Sequence, residues 1–144
     1  MLPVAAKSGD AGYDLVAIDD GVISPEGFIE YRTGLAIEPP EGCHLEIFPR
    51  SSVSKYDLAL ANGIGLVDES FRGELKLRFR PVGAFYDKSQ LGAFNRLTGC
   101  ANIYKKGDRI GQIVIRITIN DEFKWADELN ETSRGAGGFG SSGV

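Results

Sequence analysis

Along this chain apolar and polar residues alternate one by one more often than they recur every three or four positions. In Glu74-Leu-Lys-Leu-Arg-Phe-Arg80 the residues Leu75, Leu77 and Phe79 share one face, and Lys76, Arg78 and Arg80 share the other. In Arg109–Ile119 the residues Ile113, Ile115, Ile117 and Ile119 share a face. A period of two marks a strand with one buried side. Further strands are predicted near Phe28–Arg32, Gly34–Glu38 and His44–Phe48. A single short helix is predicted over Ser52–Leu60, capped by Ser51 or Ser52, with Val53, Tyr56 and Leu60 on its apolar side. Half-buried strands separated by Gly, Pro and Asp turns point to an all-β antiparallel sandwich or jelly roll. The 19 glycines supply the tight turns that such a chain needs.

A length of 144 residues fits one compact domain with a real core. Residues 1–133 are expected to form it, with 134–144 as a flexible arm. No apolar run approaches the roughly 18 residues that span a bilayer, and MLPVAAKSGD lacks a charged-then-apolar leader pattern, so the expectation is a cytoplasmic protein. The formal net charge of −4 argues against polymeric nucleic acid as a partner. It leaves room for an anionic small molecule held by a few arginines. Cys43 and Cys100 fit neither a metal cluster nor a disulfide framework and are expected as buried or half-buried thiols. His44 is the only histidine, which argues against Ser-His or Cys-His nucleophilic chemistry. It falls in a strand pattern and is expected to be structural.

Five stretches carry chemistry. The tail, Arg134-Gly-Ala-Gly-Gly-Phe-Gly-Ser-Ser-Gly143, joins five glycines to an arginine, an aromatic ring and two hydroxyls. Arg134 can fork two hydrogen bonds to phosphate, Ser141 and Ser142 add donors, and Phe139 offers a flat face for a base. Ordering ten such residues costs about 10–20 kcal/mol, so the segment fits a disordered terminus and a ligand-closed lid equally. In Phe48-Pro-Arg-Ser-Ser-Val-Ser-Lys55, Arg50, Ser51 and Ser52 surround a helix start suited to phosphate, or simply to a capped helix with solvated neighbours. In Ala61–Glu74 a strand, a tight turn and a strand place Asp68 next to the turn. There it is a turn-former or a general base for water, while Asn62 suits a pyrimidine edge. Ala11–Leu15 and Gly107–Val114 read as turns feeding strands, in which Asp14, Asp108 and Gln112 can also organise phosphate or magnesium-bound waters.

Taken in order, Ala11–Leu15, Pro49–Ser52, Asn62–Glu74, Gly107–Val114 and Arg134–Gly143 resemble the five motifs of the trimeric dUTP pyrophosphatase (dUTPase) family. The resemblance implies a distorted antiparallel jelly-roll or β-clip-like barrel assembled as a homotrimer, each site drawing on three subunits. It implies hydrolysis of dUTP to dUMP and pyrophosphate with Mg²⁺ held by triphosphate oxygens and waters, without a direct protein ligand. Asp68 matches the aspartate that activates the attacking water. Asp14 matches one that acts near the metal's waters. Arg50, Ser51, Ser52 and Gln112 match phosphate contacts, and Asn62, Leu66 and Val67 the uracil-reading hairpin, with Lys76 contributing backbone on the returning strand. Arg134, Phe139, Gly140, Ser141 and Ser142 match the closing arm.

The chain departs from the family at several points. Phe71 stands where a tyrosine usually packs under the deoxyribose, and Ser142 where a threonine is usual. The connection over 82–104 is long, and little precedes the first motif. The related dCTP deaminases carry a glutamate after the third motif, where this chain has Lys76-Leu77-Arg78. A regulatory role through a protein partner, with 82–104 as its contact surface, is the alternative from a different class.

Overall fold

The computed structural model describes residues 2–5, 7–82, 102–119 and 121–138. Among these residues eight strands form two four-stranded antiparallel sheets. They are β1 (Tyr13–Val16), β2 (Val22–Ile23), β3 (Ile29–Arg32), β4 (Cys43–Phe48), β5 (Leu58–Leu60), β6 (Gly65–Val67), β7 (Lys76–Pro81) and β8 (Arg109–Ile117). One sheet runs β1-β8-β4-β6 and the other β2-β3-β7-β5. The inner faces meet around Leu15, Tyr31, Leu45, Leu77, Phe79 and Ile110, all essentially buried. The alternation seen in the sequence at Leu75, Leu77 and Phe79 is the inward face of β7. Two polar groups cross the core on backbone carbonyls: Thr33 Oγ1 donates to Leu75 O at 2.6 Å, and Tyr31 Oη to Tyr104 O at 3.1 Å. His44 lies in β4, its Nδ1 2.8 Å from Thr118 Oγ1, and Cys43 beside it is a half-buried free thiol.

Three expectations are corrected. The helix is a 3-10 turn over Ser51–Lys55 with Arg50 at its N-cap and no side-chain cap. It needs only the Val53 N–H on Arg50 O and the Tyr56 N–H on Val53 O. At Tyr56 the backbone becomes extended, and Leu58 and Leu60 turn inward from a strand instead of lining a helix. Gly34–Glu38 keeps the in-and-out alternation of a strand, with Leu35 and Ile37 packed on the core, but forms no ladder. Gly34 has φ +67°, and Pro39 and Pro40 follow without N–H donors. The apolar face of β8 is buried only at Ile113; Ile115 is exposed, and Ile117 and Ile119 stand 80% and 79% exposed. Strand β1 pairs with β8 no further than Ile113, so the interior opens there into an apolar groove of about 370 Å³ between Leu2, Tyr13, Leu35, Ile37, Ile113 and Ile115.

Among the described residues no helix is long and apolar enough to cross a membrane.

Gly21 has φ +81°, and a Cβ there would lie 2.6 Å from the Tyr31 ring. Gly21→Ala is expected to cost about 2–3 kcal/mol in denaturant unfolding, through both backbone strain and overpacking. On the outer face of β3 and β7, the Lys76 ammonium and the Arg78 guanidinium hold the Glu30 carboxyl below its usual 4.5. The folded value is the lower one, so this contribution is complete above the unfolded value and disappears as pH falls through the folded value. Thermal melts from about pH 6 to about pH 3 are expected to fall less steeply for Glu30→Gln than for the parent chain.

Candidate functional site

The site begins with one carboxylate. Asp14 sits in β1 opposite Gln112 of β8, and opposed residues of an antiparallel pair present their side chains on the same face. The register then slips. Leu15 pairs with Gly111 but Val16 with Arg109, leaving Ile110 as the extra residue of a bulge. The bulge turns Ile110 into the core and brings Arg109 to the side on which Asp14 lies. Arg50 arrives from the end of β4, immediately before the 3-10 turn. Asp14, 7% exposed, accepts Arg50 Nε at 2.8 Å, Arg109 Nη1 at 3.1 Å and Gln112 Nε2 at 3.3 Å. Arg50 Nη1 also reaches Ser52 Oγ at 3.4 Å.

Sequence reasoning singled out Asp14, Arg50, Ser52 and Gln112 separately; the fold puts them in one cluster. It missed Arg109, which the alternation of β8 assigned to the same face as Ile113. The glycine at 111, inside a strand, was the available sign of a bulge. Arg50 and the hydroxyls, rather than a helix dipole, are the features here that suit an anion, because five residues of 3-10 turn present little aligned dipole. Asp108 accepts the Lys105 N–H at 2.8 Å and shapes the turn into β8.

A second group lies at the other end of β4. Leu45 pairs with Val67 and Ile47 with Gly65, so Asp68 emerges beside the start of β4 while Arg50 leaves its finish. Six strand residues separate these ends by roughly 20 Å. The stretch Ala61–Glu74, expected as strand, tight turn and strand with Asp68 next to the turn, is not a paired hairpin: β6 pairs with β4, β7 lies in the other sheet, and 61–64 form a corner between the sheets. Asn62 Nδ2 would lie 3.5 Å from a Cβ placed on buried Gly65. Strand β6 has only β4 beside it, so one edge of Gly65–Val67 is free of pairing among the described residues, and Leu66 is exposed.

Asp68 starts a turn closed by the Phe71 N–H on Asp68 O at 3.1 Å. The turn is braced from both sides. Glu69 Oε2 accepts the Gly42 N–H at 3.1 Å, and Arg72 Nη2 donates to Glu38 Oε1 at 2.8 Å. The Phe71 ring lies over Gly73, where a Cβ would approach to 2.5 Å. Lys76 extends away from this turn to Glu30, at 2.9 Å.

Residues 121–138 are exposed nearly throughout, including Phe123, Trp125 and Leu129. Arg134 Nε donates to Gly137 O at 2.9 Å in a run of turns. Phe139, Gly140, Ser141 and Ser142 lie outside the described residues, as does most of the 82–104 segment.

The dUTPase family model matches residues 1–82. A deoxyuridine 5'-triphosphate nucleotidohydrolase of Desulfitobacterium hafniense (strain DSM 10664 / DCB-2) is 42% identical, with 99% of this chain and 87% of the relative covered. That of Thermobifida fusca (strain YX) is 38% identical, covering 99% and 72%. Among solved structures, a mutant dUTPase of Staphylococcus bacteriophage 80alpha with dUpNHpp aligns with a TM-score of 0.77 at 25% identity, over 100% of this chain and 92% of that one. Likeness of this extent, in sequence and in backbone alike, shows that the chain belongs to the dUTPase family.

Proposed function

We propose that this chain hydrolyses dUTP to dUMP and pyrophosphate, and that a homotrimer completes each site. The observation that carries the shared site is the separation of the Asp14–Arg50 cluster from the Asp68 turn by the length of β4. One triphosphate cannot lie against both within one chain. A second copy that brings its Asp68 turn to this copy's Arg50 resolves the geometry, and the open groove beside Ile115 with the exposed Phe123 and Trp125 supports close association of copies.

Arg50, held by Asp14, presents its guanidinium next to the Ser52 hydroxyl, with Ser51 between them in the chain, which suits the phosphate oxygens. The free edge of β6 offers backbone donors and acceptors to a uracil ring, with Asn62 beside it. A pyrimidine methyl would meet the strand itself. The Phe71 ring, fixed over Gly73, suits the face of a deoxyribose and leaves a 2′-hydroxyl without room. Asp68 accepts the proton of a water that attacks the α-phosphorus in line; the bond to the bridging oxygen breaks and pyrophosphate leaves. Arg134, Phe139, Gly140, Ser141 and Ser142 would close over the substrate, the ring on the base and the arginine on the phosphates.

The dUTPases generally depend on Mg²⁺. Among the described residues no group of three or more His, Cys, Asp or Glu is arranged to hold a metal. Asp14 is the carboxylate in the phosphate-binding cluster, and its oxygens are shared among three donors. This donor set fits an ion carried by substrate oxygens and water, with Asp14 acting through water. When bound, the ion draws negative charge from the triphosphate.

Pyrophosphate release with Mg²⁺ is expected from dUTP and not from dCTP, dTTP or UTP. Asp68→Asn is expected to lower kcat by about a hundredfold or more; an unchanged rate would exclude Asp68 as the base. The shared site has its own test. Asp68→Asn and Arg50→Ala are each expected to be nearly inactive, yet subunits dissociated and reassembled as a mixture should recover roughly a quarter of the parent activity. No recovery in mixed trimers would place both residues in one subunit's site.

A further inference from the structure

Behind the phosphate-binding turn lies a phenol that the reaction as described does not use. Tyr104 is 0% exposed, and its Oη is buried with no hydrogen-bond partner among the described residues. Its surroundings are otherwise well satisfied. Its carbonyl accepts Tyr31 Oη at 3.1 Å, and its ring packs edge-on to Tyr31 and Phe79 at centroid distances of 5.9 and 5.2 Å. On its remaining side it lies against the Tyr56 ring, with centroids 4.1 Å apart. Tyr56 is the C-cap of the 3-10 turn whose N-cap is Arg50. Five residues further along from Tyr104 the chain enters β8 at Arg109, the second arginine on Asp14. Tyr104 therefore packs against the residue that ends the turn begun by Arg50, Ser51 and Ser52. Phenylalanine would fill the same aromatic cluster without a buried polar atom, so the hydroxyl is not there for packing.

We propose that the Tyr104 hydroxyl, through one bridging water, positions the Arg50–Ser52 turn from inside and so sets the affinity for the triphosphate. A buried water with two or more polar partners is the ordinary way in which such a group is satisfied. Burial pushes this phenol up to about 12, with the Tyr56 phenol raising it, the Arg50 guanidinium lowering it and the Asp108 carboxylate raising it. The hydroxyl thus stays protonated across the working range and can both donate and accept. Tyr104 is a positioning residue; it touches neither substrate nor the reacting atoms.

The inference rests on the proposed dUTP reaction, and its test separates the two. Tyr104→Phe keeps the ring and removes only the oxygen. Its binding of dUpNHpp is expected to weaken about fivefold, with KM for dUTP rising in parallel and kcat within about twofold of the parent. Binding of deoxyuridine, which has no phosphates, should be unchanged. A purely structural hydroxyl would alter the melting temperature and leave the ratio of the two affinities as it was, and that result would overturn the proposal. An equal loss for deoxyuridine and dUpNHpp would also overturn it, because the hydroxyl would then act on the fold at large. Failure of the parent chain itself to bind dUpNHpp would refute the dUTP reading instead.

Discussion

Everything in the arginine cluster beside β1 and β8 depends on the Asp14 carboxylate. One buried acid gathers two guanidinium groups and one amide from two other stretches of chain: the end of β4, and the first and fourth residues of β8. Two arginines brought together without that acid would repel each other, and a buried acid without them would carry a large desolvation penalty. The ion cluster is therefore both a joint of the first sheet and the device that fixes the direction of Arg50. Two arginines against one aspartate leave the cluster with a positive excess.

The strands were legible because their cause is local. Leu75, Leu77 and Phe79 alternate with cations, and nothing in β7 competes with that pattern. What stayed hidden depended on distant partners. Gly34–Glu38 carries a strand's alternation, yet no neighbour completes a ladder with it. At Ser52–Leu60 the apolar spacing fitted a helix, but Leu58 and Leu60 are claimed by β7 through pairing with Pro81 and Phe79. The site divides in the same way. Residue types announced Asp14, Arg50, Asp68 and Gln112. The bulge that recruits Arg109, and the length of β4 that parts Asp68 from Arg50, are properties of register, which a sequence of this composition does not display.

Three unfinished features of the single chain fit the proposed trimer. An edge strand left open at β6, an apolar groove left open beside Ile115, and a terminal segment that places Phe123, Trp125 and Leu129 in solvent are each costly for a solitary molecule. They are inexpensive where copies supply what each chain lacks. In the proposed trimer, catalysis and assembly draw on the same surfaces, so a substitution at such a surface acts on both.

Finally, the Phe71 ring occupies the space in which any side chain at position 73 would begin. These two positions are therefore not independent in heredity. A lineage enlarges residue 73 only by displacing the ring two places earlier. The glycine at 73 answers to the shape of its neighbour rather than to a left-handed backbone, so a change at one of these positions alters what the other can hold.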